Sequence, residues 1–551
     1  MYNVPMVKYQ TIIFAILIIF FLLFSFAPTF FELSLKDKLA DPNREFILEH
    51  NYYWPDFNLY LSKVRQAWEG RLFPVEKYTS EPHKGSLVQI FYVGLGWLGR
   101  VIRANPNTSY QLGRILFAPL LLILIARLTW LYFPSFGARI MAFIVVIVSG
   151  SFPKIYTVPT GGVHIESFMQ WWSTIDNLQR ITFIPHILFG QLVSLFLLNQ
   201  LMIRVSKSIK IKHLILYSIM GNIVGIVFPP SLMTLFGVIG ITMVVQIIKK
   251  HALWHVGLLF IIFTCPSLLY FFVITHQIPW VALVETHRRH FMPVPLDQYF
   301  LGTGPVFVLA AGGALTTLSQ RAYKWYPLIY WALSSWLLAA YFSLVRDQSP
   351  LRFTQTGVFI PLGLLASYFF YQLWIRLSNP FVKGVYSVIL IFYVIENIYM
   401  MVVSYRWQES FIIQRVGASI PPVPYPPQTI YPLTSWMDGI RFLRDHTNHN
   451  DVVIAGLTAG NFIPAYAGNF VYFGQSNTVS YEEKYQHLED FFRARLSPSS
   501  AQRLLNEARV KYVFYSFQEK ELSGLEDISV NYPFLKPVYQ TTAVTIYQVI
   551  G

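Results

Sequence analysis

The chain has 551 residues, of which 54% are hydrophobic and 13% charged, and its formal net charge is +14 at pH 7. Repeated apolar runs long enough to cross a bilayer exclude a single water-soluble core and define a polytopic α-helical membrane protein. The positive balance does not call for nucleic acid, because basic residues of membrane proteins collect in cytoplasmic loops for reasons of insertion.

The first run, YQTIIFAILIIFFLLFSFAPTFF, is as long as the roughly 20 residues of a spanning helix and lacks a small-residue cleavage site, so it is expected to stay as the first transmembrane helix. A polar segment, 32–86, follows. In it Phe57, Tyr60, Leu61, Val64 and Trp68 recur at helical spacing, with Pro55 at a first-turn position and Gly70 as a stop. This spacing predicts a short amphipathic helix on the membrane surface, with Asp56 in its first turn, where the helix dipole favours the carboxylate. A carboxylate there can take a proton from an acceptor hydroxyl or amine, and it can equally do no more than cap the helix.

Orientation follows from the basic loops. Arg204, Lys207, Lys210 and Lys212 crowd one connection, Lys249 and Lys250 another, and Arg321 with Lys324 a third, which assigns these connections to the cytoplasm. Spanning helices are then expected near 183–203, 213–228, 231–248, 252–274, 301–318, 325–345, 353–374 and 384–404, leaving loops 275–300 and 346–352 and everything after Tyr405 exoplasmic. Of the upstream runs 87–104, 110–133 and 139–152, one is expected to be partial or re-entrant. The total is about eleven crossings in the plasma membrane, with the N-terminus cytoplasmic and the C-terminus exoplasmic. Cys265 is the single cysteine and lies in an apolar run, so it forms no intrachain disulfide.

The outer loop 153–182 carries His164, Glu166, Asp176 and Arg180, and Pro185 and His186 open the next helix. These acidic and histidine residues make a divalent metal conceivable, although their spacing fits no fixed ligand pattern. Trp171 and Trp172 read first as interfacial belt residues and second as a sugar-stacking surface. The THRRH stretch at 286–290 offers Arg288 and Arg289, either as a headgroup-binding face or as substrate contacts.

After the last helix the proline-rich stretch PPVPYPPQTIYP marks a stiff connector, 405–434, between the membrane domain 1–404 and a C-terminal α/β domain 435–551. DVVIAG and KYVFYSF read as buried strands, YEEKYQHLEDFFRARL and SSAQRLLNEA as amphipathic helices, and FLKPVYQTTAVTIYQVI as a terminal hairpin. GLTAGN lacks both the spacing and the lysine of a phosphate-cradling loop and reads as a turn.

Pro55 and Asp56, the helix through Trp68, Gly70, and then TSEPHKGSLVQIFY leading into the next helix resemble the GT-C superfamily of membrane glycosyltransferases. That superfamily includes the protein mannosyltransferases and the aminoarabinose transferases, which use polyprenyl-phosphate sugars. The resemblance implies a GT-C-like membrane domain of about eleven helices and an inverting transferase. Such an enzyme moves a sugar from a polyprenyl-phosphate donor to a glycan, lipid or protein on the exoplasmic face. The family's catalytic acid carries over to Asp56. The chain departs from the pattern in having Phe57 rather than a second acid after Asp56, and SEPHKG rather than a KPPL-like second motif, which leaves Glu81 and His83 as the second-motif candidates.

Displacing a sugar from a phosphate also needs positive charge on the leaving group. Arg352, in PLRFTQTGVFIPLG, resembles the basic residue that opens the corresponding helix in the aminoarabinose transferases, and it stands either for a lipid-phosphate contact or for an interfacial anchor. His186, Arg288 and Arg289 are the further cation candidates. His164, Glu166 and Asp176 would be the ligands if a metal were used, as in oligosaccharyltransferase relatives.

A reading from a different class is a transporter or a lipid-linked-oligosaccharide translocase. Transporters bury ionisable residues in mid-membrane and contain broken helices. Here Glu396 is the main mid-span carboxylate, and Pro229 and Pro230 read as a loop or as the break in one helix. A polysaccharide polymerase or ligase carries its key loop late in the chain, against the early position of segment 32–86.

Overall fold

Helices dominate the computed structural model, which describes residues 4–50, 56–158, 161–168, 174–203, 210–250, 254–423 and 430–550. Pro55, Trp171, Trp172, Arg204 and Lys207 lie outside the described residues. In chain order come α1 (Val4–Ser34), α2 (Asp56–Trp68), α3 (Ile90–Val101), α4 (Pro106–Tyr132), α5 (Phe136–Val148) and the strands β1 (Pro153–Thr157) and β2 (Val163–Ser167). Next are α6 (Pro185–Leu198), α7 (Ile211–Val227), α8 (Pro229–Ile248), α9 (Trp254–Ile274), α10 (Val281–Arg289), α11 (Leu296–Thr303), α12 (Pro305–Ser319), α13 (Tyr326–Val345), α14 (Phe359–Arg376) and α15 (Pro380–Gly417). The remainder comprises α16 (Thr434–His446), β3 (Val452–Ile454), α17 (Leu457–Tyr466), β4 (Phe470–Val471), α18 (Tyr481–Phe492), α19 (Pro498–Glu507), β5 (Val510–Ser516), α20 (Phe517–Ser523), β6 (Leu535–Gln540) and β7 (Val544–Val549).

Among the described residues six helices are long and apolar enough to cross a membrane, and α11 with α12, bent by 87°, make a seventh if counted as one span. Four further apolar helices among the described residues, α3, α5, α6 and α7, are shorter. Of the upstream runs, α3 and α5 have 12 and 13 residues. They rise only about 18 and 20 Å at 1.5 Å per residue, against an apolar layer of about 30 Å. Two of those runs are therefore short rather than one. The helix expected at 353–374 starts at Phe359 instead, after a 3-10 turn at Pro350–Phe353. Segment 275–300 is not an open loop but contains α10 and the start of α11. The helix expected to end near 404 runs on to Gly417, so its 38 residues extend about 57 Å.

The chain divides into two compact units. The first comprises residues 1–28, 113–270 and 290–408, and the second comprises 29–112, 271–289 and 409–551. In the first, α14 packs against α5 and α12, and α13 packs against α8. A short hairpin, β1 antiparallel to β2, pairs Tyr156 with His164.

The second unit joins the early loop to the late α/β region. Its five-stranded sheet runs β4-β3-β5-β7-β6, parallel across β4, β3 and β5 and antiparallel from β5 through β7 to β6. Phe473, Phe491, Leu505, Val513 and Tyr532 are among the residues of its apolar core. The strands and helices of the C-terminal region thus match their periodicity, with one correction: GLTAGN is the start of α17 and not a turn. Its residues from Thr458 to Ala465 are all buried, so burial on every side outweighs the glycines.

Two glycines fix the helix that presents Asp56. Gly70 ends α2 with φ +84°, a left-handed conformation in which glycine carries no steric penalty. Gly96 lets α3 lie against α2, because a Cβ there would collide with the Val64 carbonyl and stand 2.7 Å from the Cβ of Ala67. Gly96→Ala is expected to destabilise the folded protein by about 1–3 kcal/mol. Thermal unfolding in detergent measures this, and an unchanged midpoint would show that the two helices separate without cost.

Candidate active site

Helix α2 is buried around most of its circumference. The sequence predicts a helix with one wet face, yet ten of its thirteen residues are buried, including Asn58, Ser62, Lys63 and Gln66. The reason is that α3 and α17, both of the second unit, pack against it. Asp56 is the first residue of the helix and is only half-buried, with the helix dipole behind it. The first turn of a helix so covered is a rigid mount for a carboxylate.

Buried polar groups need partners, and α2 finds them in the segment that follows. Lys63 Nζ lies 3.2 Å from Glu76 Oε2 and donates to the Val75 carbonyl at 2.8 Å. The Gln66 amide donates to the same carbonyl at 3.0 Å and accepts from the Val75 N–H at 2.8 Å. Asn58 donates to Asn461 Oδ1 at 2.8 Å, and the Tyr78 hydroxyl donates to the Asn461 carbonyl at 2.9 Å. Tyr60, one turn beyond Asp56, stacks on Tyr92 with ring centroids 4.4 Å apart, and Tyr92 stacks in turn on Tyr110 at 6.0 Å. Burial pushes the Lys63 ammonium down from its ordinary range, opposed by Glu76.

Lys77 is likewise buried, 2.8 Å from Glu69 Oε2, and burial pushes it down to about 8. The folded protein then releases this proton near pH 8, whereas the unfolded chain keeps it to about 10.5. Stability is therefore expected to rise with pH across that window, by at most about 1.4 kcal/mol per pH unit. Lys77→Met should reduce the slope in unfolding curves recorded from pH 7.5 to 10.5, Lys63 keeping its own share, and identical slopes would refute the assignment.

The second-motif candidates lie beside this clamp. His83 donates from Nδ1 to the Glu81 carbonyl at 2.7 Å and accepts at Nε2 from the Glu76 N–H at 2.8 Å, which fixes the neutral Nδ1–H tautomer. Burial pushes its pKa down. Glu81 Oε1 is 2.6 Å from Lys484 Nζ, and the Thr79 hydroxyl donates to Glu81 Oε2. Burial alone would raise the Glu81 carboxyl, but the hydrogen bonds from Lys484 and Thr79 hold it below its usual range. Glu81 thus holds segment 76–84 to α18, while His83 ties that segment to itself.

Arg288 and Arg289 close α10, where the helix dipole favours cations. Arg288 is exposed, while Arg289 lies 3.5 Å from Glu482 and over the Tyr481 ring at 4.7 Å.

One further cluster of the second unit escapes sequence reasoning. Arg415, fully buried, contacts Glu32 Oε1 at 3.2 Å and Glu49 Oε2 at 2.6 Å and lies over the Tyr431 ring at 4.0 Å. The Tyr431 hydroxyl donates to Glu32 at 2.7 Å and the Tyr466 hydroxyl to Glu49 at 3.3 Å. Gln414 beside Arg415 and His50 beside Glu49 make these stretches read as ordinary polar sequence, so no local pattern signals the cluster.

In the first unit, His186 sits in the opening turn of α6 and Arg352 in the 3-10 turn before α14, close enough for the guanidinium to act on the imidazole electrostatically. Arg352 also reaches Gln355 Oε1 at 3.3 Å. The possible metal ligands do not converge: among the described residues no group of three or more His, Cys, Asp or Glu can hold a metal ion. His164 stacks on Tyr156, and Glu166 accepts from the Tyr156 hydroxyl. Asp176 is buried and accepts from the backbone of Leu178 and Gln179 at 3.0 and 2.9 Å and from the Ser404 hydroxyl at 2.9 Å.

No protein-family model matches the sequence, and no curated protein matches it significantly. Solved structures do match. The apo oligosaccharyltransferase of Archaeoglobus fulgidus is similar over 95% of this chain and 74% of its own, with 12% identity and a TM-score of 0.52. The same values hold for the Archaeoglobus fulgidus oligosaccharyltransferase AglB in complex with an inhibitory peptide and a dolichol-phosphate. A mutant of the mycobacterial arabinofuranosyltransferase AftD matches over 98% of this chain and 41% of its own, with 13% identity and a TM-score of 0.52.

Proposed function

We propose that this chain, which has the GT-C membrane glycosyltransferase fold, transfers a sugar from a polyprenyl-phosphate donor to an acceptor glycan, lipid or protein. The observation that carries the reading is Asp56, half-buried in the first turn of a helix of which ten of thirteen residues are buried and clamped. Asp56 accepts the proton of the acceptor hydroxyl or amine as that atom bonds to the anomeric carbon. The bond from the anomeric carbon to the phosphate oxygen breaks on the opposite side, so the configuration inverts and polyprenyl phosphate leaves with the electron pair. Within the first unit, Arg352 and His186 at the α6 N-terminus form the site assigned to a lipid phosphate, a setting that favours anions. A phosphate-linked lipid donor agrees with the dolichol-phosphate bound by the archaeal oligosaccharyltransferase. The reaction is assigned to the exoplasmic face, with Lys249, Lys250, Arg321 and Lys324 cytoplasmic.

The test is turnover of radiolabelled polyprenyl-phosphate sugars by the purified protein with a membrane acceptor fraction. Label leaving the lipid phase for the acceptor is the expected result. Donor that crosses reconstituted vesicles without being cleaved would overturn the transferase in favour of a translocase.

A further inference from the structure

Along the N-terminal half of α1 and the C-terminal half of α4, both within the first unit, runs an open cavity of about 800 Å³. That lies within the range of about 300–1,000 Å³ of sites for bound small molecules. Its wall is apolar, with Phe14, Ile18, Leu22 and Ile123 along its length, and it ends at Arg127 and Trp130. Arg127 is exposed, and among the described residues no carboxylate pairs with it. No acidic residue lines the cavity. A second guanidinium, that of Arg139, lies over the Trp130 ring at 4.3 Å, held by the carbonyls of Phe133 and Pro134 at 3.0 Å each.

An unpaired arginine on a spanning helix is costly to keep in an apolar layer and marks a functional position or a side chain reaching for the interface. Trp130 separates these alternatives. Tryptophan prefers the headgroup level, which sets Arg127 one turn to the apolar side of that level and at the mouth of an acyl-sized groove. A phosphodiester fits there, with its chain in the groove. The ammonium of a zwitterionic headgroup would meet two guanidiniums and no carboxylate, so charge complementarity selects a lipid of net negative charge.

We propose that the α1–α4 groove binds a membrane phospholipid with an anionic headgroup, its phosphate on Arg127 beside Arg139 and its acyl chain along Phe14, Ile18 and Leu22. The site is independent of the sugar-transfer reading and stands if that reading fails.

The test is native mass spectrometry of the full chain purified in detergent, titrated with equimolar phosphatidylglycerol and phosphatidylethanolamine. Wild type is expected to retain phosphatidylglycerol preferentially. Arg127→Gln is expected to lose about fivefold of that preference, the effect of one basic residue near anionic lipid. Arg127→Lys should keep most of it, and Ala15→Trp, which fills the groove without touching charge, should reduce binding of both lipids. An undiminished preference in Arg127→Gln at an unchanged unfolding temperature overturns the proposal. So does equal binding of the two lipids by wild type. A third arm adds undecaprenyl phosphate, and its displacement of phosphatidylglycerol below equimolar concentration would reassign the groove to the donor lipid and overturn the phospholipid.

Discussion

Asp56→Asn is expected to lower kcat for sugar transfer by about 10²–10⁴-fold while leaving the helix that carries it intact. The carboxamide matches the carboxylate in size but cannot accept a proton, and general-base catalysis accounts for a factor of that order. Asparagine keeps the hydrogen-bonding of aspartate at the start of a helix and forgoes only the dipole's share, as little as about 0.3 kcal/mol, whereas alanine there costs about 1 kcal/mol. The pair of variants therefore separates the two roles open to this residue. If Asp56 only caps α2, Asp56→Asn keeps activity and nearly all stability, and Asp56→Ala loses stability alone. If it is the base, both variants lose turnover, and Asp56→Asn does so at nearly wild-type stability. Activity retained by the asparagine variant would move the base elsewhere.

The largest effect on stability is expected at Arg415. One guanidinium is shared between Glu32 and Glu49, all three nearly inaccessible to solvent. Arg415→Met is close in volume but leaves two carboxylates facing each other without a cation. Breaking a buried pair in this way costs about 3–5 kcal/mol. Burial already pushes the Glu49 carboxyl up, against the opposing pull of Arg415. With that pull gone the carboxyls take up protons more readily, so the loss should be smaller at pH 5 than at pH 8. Adding Glu49→Gln to Arg415→Met should return part of the loss. Unfolding midpoints of the single and double variants at both pH values measure this, and a double variant no more stable than Arg415→Met would contradict the shared-cation account.

The contrast between these two sites shows what the sequence discloses. Helix α2 is legible because Phe57, Tyr60, Leu61, Val64 and Trp68 lie within twelve residues and their spacing alone sets a helix, while Gly70 supplies the stop. The same holds for β5, α18 and the β6–β7 hairpin. Wetness is not legible: the polar Asn58, Lys63 and Gln66 read as a solvent face, and they are buried because partners such as Asn461 arrive from far along the chain. Arg415 pairs with residues 383 and 366 positions away, beyond the reach of any periodicity. Length misleads as well. The run 139–152 has the composition of a span, but its helix, opened at Phe136 by the Ser135 cap, ends already at Val148 after 13 residues. His164, Glu166 and Asp176 share one loop in sequence, yet the hairpin and the buried turn after it do not gather them into a ligand set.

The distance from Asn58 to Asn461 also has a temporal side. The two residues are 403 positions apart, and Thr478, which caps the Tyr78 carbonyl at 2.8 Å, is 400 positions from its partner. At about 5–20 residues per second, the ribosome delivers those partners on the order of 20–80 s after α2 has emerged. Throughout that interval Asn58, Tyr78 and the turns around them lack the groups that satisfy them in the finished protein. The helix that bears Asp56 is thus made early and completed late, because its environment waits for Asn461 and Thr478 to be synthesised.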